Sequence, residues 1–81
     1  MQVIKFSAPW CAPCKAMSAE LTKYPHVTVT EVDIEENPSA KAQWGLRSVP
    51  TLVILDETGE ETNRMVGFQP SKLKEFLTAG T

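Results

Sequence analysis

Cys11 and Cys14 are the two cysteines of this 81-residue chain, and Ala12 and Pro13 separate them. Close spacing of this kind serves metal binding, haem attachment, a structural cross-link or reversible dithiol chemistry. Haem attachment requires a histidine directly after the second cysteine, and Lys15 stands there. A closed zinc site takes about four ligands, whereas the chain has one histidine, His26, and no second cysteine pair. A metal or iron–sulfur cluster shared between two copies stays open on the residues alone. A structural disulfide over so short a loop would constrain the unfolded chain only weakly. The dithiol reading has positive support. The pair falls where a strand gives way to a helix, which puts Cys11 at a helix N-terminus. Free backbone N–H groups and the helix dipole favour a thiolate there. A thiolate is the attacking species in disulfide exchange. Cys11 is therefore the expected nucleophile, and Cys14, deeper in the helix, the expected resolving thiol. Pro13 holds the first turn.

The elements that position this pair follow from the apolar pattern. Val3-Ile4-Lys5-Phe6 reads as a strand, broken by Ser7-Ala8-Pro9-Trp10. The pattern predicts a helix from about Ala12 to Lys23, with Met17, Leu21 and Tyr24 on one face and Pro25 ending it. Val27 to Val32 alternates β-branched residues and reads as a strand. Asn37 and Pro38 predict a helix start, as N-cap and first residue, and Gly45 its stop. That helix carries Trp44, expected in the core. Thr51 to Leu55 is the most apolar run and reads as a central strand. Asp56 to Gly59 is a turn, Glu61 to Val66 the returning strand of a hairpin, and Pro70 the start of a last helix facing inward through Leu73, Phe76 and Leu77. The order β-α-β-α-β-β-α implies a parallel first pair, joined by a right-handed crossover, and an antiparallel last pair. The expectation is an α/β domain over residues 1–81, with a four-stranded mixed sheet flanked by three helices.

Composition narrows the classes of function. A hydrophobic share of 42% is ordinary for a globular domain. The formal net charge of −2 and the lack of a basic patch make nucleic acid and membranes poor partners. The opening residues show no charged leader followed by an apolar stretch, so the expected address is cytoplasmic.

Trp10-Cys11-Ala12-Pro13-Cys14-Lys15 closely resembles the Trp-Cys-Gly-Pro-Cys-Lys signature of the thioredoxin family. Asp33 to Pro38 resembles its acidic segment ending in Asn-Pro. Trp44 to Leu52 resembles its aromatic-Gly-x-Arg-x-x-Pro-Thr-Leu segment, and Val66-Gly67 and Leu73 to Leu77 match near the end. The resemblance covers nearly the whole chain in order. It implies a thioredoxin-like fold, reduction of protein disulfides, and a cis peptide bond before Pro50, which faces the cysteines. It implies further that Val49 offers backbone hydrogen bonds to a bound substrate strand. Gly67 would let substrate approach, Trp10 would give a flat apolar contact beside an exposed nucleophile, and Ala12 and Pro13 would border the substrate.

Three departures from the family stand out. The family usually carries a further strand and helix before the strand that matches Val3 to Phe6; the expectation without them is that the strand from Val27 lies at a sheet edge, where Thr28, Thr30 and Glu31 suit exposure. Ala12 replaces a glycine between the cysteines. Lys5 stands where the family usually has a buried aspartate, and Glu31 where it usually has a lysine. The expectation is a partly buried Lys5–Glu31 pair beneath the cysteines that handles the proton of Cys14, with Glu31 as acceptor. The alternative is two solvated charges on the edge.

The expected function is thiol–disulfide exchange without a bound cofactor or metal, the electrons coming from NADPH through thioredoxin reductase or an equivalent. The partners would be protein disulfides, and a monomer is the simplest state. Two other readings remain: a glutathione-dependent carrier of glutaredoxin type, and a thioredoxin-fold binding module. Ser48-Val49-Pro50 and the chain length favour the former; Gly67-Phe68-Gln69 lacks the Gly-Gly…Asp signature of that family.

Overall fold

A computed structural model describes residues 2–79. The elements are β1 (Gln2–Ser7), α1 (Ala12–Leu21), β2 (Thr28–Asp33), α2 (Ser39–Trp44), β3 (Thr51–Leu55), β4 (Glu61–Val66) and α3 (Pro70–Ala79). The sheet order is β2-β1-β3-β4. β1 runs parallel to β2, and β3 is antiparallel to both β1 and β4. The expected mixed sheet, its parallel first pair and its hairpin are therefore present. β2 is an edge strand, and Thr51–Leu55 is central, as the pattern implied.

Strand alternation divides the core into two layers. Val3, Leu52, Ile54 and Met65 pack with Met17 and Leu21 of α1 and Leu73 and Leu77 of α3. Phe6 and Val53 point the other way and pack with Ala40 of α2, Ile34, Leu46 and both cysteines. Met17, Leu52 and Leu73 are fully buried, each contributing about 2 kcal/mol by removal from water. Trp44 is half-buried at the margin of the second layer, its ring 5.3 Å from that of Phe6.

Several boundaries differ from the sequence reading, for local reasons. α1 ends at Leu21 rather than Lys23, because Pro25 disfavours a helical residue before it and the Thr22 hydroxyl turns back to the Ala19 carbonyl at 2.6 Å. β1 extends through Ser7. α2 begins at Ser39 with Pro38 in the capping position, so Asn37 is not its N-cap. The Asn37 side chain instead donates to the Asp33 carbonyl at 3.1 Å, closing the turn ahead of the helix. Gly45 ends α2 in the left-handed conformation, at φ 61°. In the hairpin, the Asp56 carboxylate accepts from the Thr58 hydroxyl at 2.6 Å and from the Thr58 and Glu60 amides at 2.8 and 3.0 Å. These bonds hold its carboxyl below the ordinary carboxylate range, the Thr58 hydroxyl first.

Candidate active site at the start of α1

The Cys11–Cys14 pair is built by a helix start. Cys11 is the N-cap of α1, in extended conformation, and its Sγ accepts from the Cys14 amide at 3.1 Å. A sulfur thus occupies the place where a hydroxyl or carboxylate oxygen normally satisfies a free N–H. The Cys11 amide donates to the Ala8 carbonyl at 3.1 Å, which fixes the approach from β1. Pro13 sits in the first turn, where its missing N–H costs nothing. The two sulfurs form a disulfide, with Cα atoms 5.2 Å apart. Both cysteines are buried, Cys11 at 4% exposure and Cys14 at 2%. The sequence reading had Cys11 exposed. It is covered because the N-cap position turns its side chain back onto the first turn, against the layer of Phe6 and Ile34.

The residues singled out around the pair fall in two groups. On one side Trp10 is 66% exposed and its indole N–H donates to Glu35. Trp10 and Val49 line one small cleft together with Lys41, Arg47 and Ser48. The Val49–Pro50 peptide bond is cis. Val49 packs against the layer that holds both cysteines. The Gly67 amide donates to the Pro50 carbonyl at 2.8 Å, and Gly67 has φ 79°, a conformation that favours glycine. Ala12 and Pro13 are exposed at the helix start.

On the other side a cleft of about 260 Å³ is lined by Cys14, Lys5, Ser18, Glu31 and their neighbours. Lys5 and Glu31 are register partners across β1 and β2. The Lys5 ammonium donates to Glu31 Oε1 at 3.2 Å and to the Ser18 hydroxyl. The Ser7 hydroxyl donates to the other Glu31 oxygen at 3.2 Å. Lys5 is 2% exposed and the Glu31 side chain 58%. The pair is therefore buried at its cation and open at its anion, and neither residue is simply solvated. Sequence reasoning missed Ser7, Ser18 and Glu35. Ser18 had a signal, lying one turn beyond Cys14 on the same helix face. Ser7 had one too, two residues from Lys5 on a strand. Glu35 had none, because its contact with Trp10 joins two loops. Among the described residues, no group of three His, Cys, Asp or Glu stands close enough to hold a metal.

A redox-sized cysteine pair at a helix N-terminus, beside a cis-proline turn on a mixed sheet, defines a thiol–disulfide oxidoreductase. The two sulfurs can take up and release two electrons without a prosthetic group. Residues 1–79 match the family model for thioredoxin. The chain is 39% identical over 77 residues to the SPbeta prophage-derived thioredoxin-like protein YosR of Bacillus subtilis, covering 95% of both chains. It is 32% identical to a thioredoxin of Alicyclobacillus acidocaldarius, over 95% of this chain and 77% of that one. Oxidised mitochondrial thioredoxin 3 of Saccharomyces cerevisiae superposes with a TM-score of 0.84 at 32% identity, covering 96% of this chain and 76% of that one. The chain belongs to the thioredoxin family, and its activity is dithiol–disulfide exchange.

Proposed function

We propose that the chain is a reductant of protein disulfides, in which Cys11 attacks and Cys14 resolves. The observation that carries the division of labour is the capping geometry. Cys11 occupies the N-cap, where its sulfur already accepts an amide N–H, and Cys14 lies one turn inside at 2% exposure. A thiolate on Cys11 keeps that bond as a stronger, charge-assisted one. In the first step the Cys11 thiolate bonds to one substrate sulfur, and the other leaves with the electron pair and takes a proton. In the second, Cys14 loses its proton and attacks the Cys11 sulfur. The Cys11–substrate bond breaks, the Cys11–Cys14 bond forms, and the second substrate thiol is released.

The surface formed by Trp10, Ala12, Pro13, Val49 and Gly67 is the substrate contact in this reading. Supporting it are the shared cleft of Trp10 and Val49 and the turn in which Gly67 meets Pro50. Lys5 and Glu31 handle the Cys14 proton, supported by their place in the cleft that Cys14 lines. Two electrons return from NADPH through a thioredoxin reductase or an equivalent dithiol system. A cytoplasmic setting and a monomeric carrier go with this reading, since a reducing compartment keeps the dithiol charged.

NADPH oxidation with insulin as the disulfide tests it, with thioredoxin reductase in one arm and glutathione plus glutathione reductase in the other. Turnover in the reductase arm alone is expected. Turnover in the glutathione arm alone would move the chain to glutathione-dependent chemistry and make Ser48, Val49 and Gly67 its contacts.

A further inference from the structure

Lys5 sets the problem. An ammonium at 2% exposure stays charged inside a protein only if hydrogen bonds replace its water. Its two acceptors come from different elements: Ser18 of α1 and Glu31 of β2. Glu31 stands on the edge strand with its side chain 58% exposed, and its second oxygen is held by Ser7. Ser18 lies four residues after Cys14. Helical Cα–Cβ bonds tilt toward the N-terminus, so the Ser18 side chain leans toward the turn that carries Cys14. The cleft contains charges of both signs: Lys5 from β1, Lys15 from α1, and Glu31 and Asp33 from β2. Two cations and two anions nearly cancel at a distance. What the Cys14 sulfur experiences is then decided by which charge is held nearest, not by their sum.

We propose that Ser18 is a positioning residue for the resolving step. It anchors the Lys5 ammonium on the Cys14 side of the cleft, so that a fixed positive charge favours the Cys14 thiolate. The proposal rests on the assignment of Cys14 as resolving thiol. Without the Ser18 hydroxyl, Glu31 is the one anchor left to the ammonium, which then follows it toward the open edge of the sheet. In the step itself, Cys14 Sγ–H gives its proton to the Glu31 carboxylate and through it to bulk water. The thiolate then attacks Cys11 Sγ, the substrate sulfur leaves with the bonding pair, and it takes up a proton.

The test separates the two sulfur steps. The reduced protein is mixed with 5,5′-dithiobis(2-nitrobenzoate), which releases one coloured thiolate when Cys11 attacks and a second when Cys14 resolves. Rates are recorded from pH 5 to 10 for the parent, Ser18→Ala, Ser18→Thr and Lys5→Met. In Ser18→Ala the second phase is expected to slow about tenfold at neutral pH, its profile moving about one unit alkaline, while the first phase keeps its rate. Ser18→Thr, which keeps a hydroxyl, restores the parent profile. Adding Ser18→Ala to Lys5→Met changes nothing further, because the charge it positions is gone. Alanine is a better helix former than serine, so Ser18→Ala is expected to fold, and a cooperative thermal melt checks this. An unchanged second phase in Ser18→Ala, or the same slowing in the Lys5→Met background, overturns the proposal. A Cys14→Ser protein, in which Cys11 is the one thiol left, that releases no coloured thiolate would instead overturn the assignment of Cys11 as nucleophile.

Discussion

Lys5–Glu31 and Arg64–Glu61 are both strand-borne pairs of a cation and a carboxylate, and they differ in where the cation sits. The Arg64–Glu61 pair is the better geometry. It is a two-pronged contact, Nε to Oε2 and Nη2 to Oε1, each at 2.8 Å. Both side chains are partly exposed, at 26% and 33%. Residues three apart on a strand normally face opposite ways. Here the register shift between Ile54 and Leu55 leaves Thr62 unpaired and brings Glu61 and Arg64 to one side. The Lys5–Glu31 pair is a single contact at 3.2 Å, but its cation is buried. Better geometry in water is worth less than poorer geometry around a buried charge. Solvent competes for the first pair, whereas the buried ammonium of the second has no water and depends on Glu31 and Ser18.

The widest gap between the two pairs is expected at Glu31. Glu31→Ala removes a charged acceptor from a buried ammonium and should cost about 2 kcal/mol in chemical denaturation. Lys5→Met leaves a carboxylate that water can reach and puts an apolar chain in the buried site. Its cost should stay below about 1 kcal/mol. The exposed partner should therefore matter more to stability than the buried one. Measuring the reverse order would break the comparison.

A smaller effect is expected at the hairpin. Arg64→Gln should cost about 0.5 kcal/mol or less, and 0.5 M salt should remove most of the difference. A loss as large as that of Glu31→Ala would show the arginine pair to be structural in its own right.

The smallest effect is a pH dependence. The Arg64 hydrogen bond holds the Glu61 carboxyl below its ordinary value of 4.5. A carboxyl depressed in the folded state adds stability above its unfolded value, and that stability disappears as pH falls through the folded one. Glu61→Gln should accordingly lower stability slightly at neutral pH, and its difference from the parent should vanish as pH falls below about 4.5. A difference confined to acid pH would contradict the assignment.

Much of this molecule follows from short-range pattern. Thr51–Leu55 and Glu61–Val66 are bounded as their apolar and turn residues imply, and α3 opens at Pro70. The cysteine pair was legible because both residues lie within one helical turn, where local geometry decides their contact. Boundaries were missed where a side chain had a choice of backbone partners, as with Asn37, which closes a turn instead of capping α2. The proximity of Lys5 to Glu31 could be anticipated from strand periodicity, since a parallel register aligns them.

What only the packing of elements decided is the character of that pair. Burial of Lys5 depends on α1 lying across β1, and openness of Glu31 on β2 being the outer strand. Ser18 enters the network from 13 residues away, and Glu31 from 26. Hydrophobic periodicity shows which face of each element turns inward, and residue type shows what a side chain can donate or accept. Which donor meets which acceptor depends on the rotation and offset of a helix over a sheet. The packed core sets those quantities, and they have no local signature along the chain.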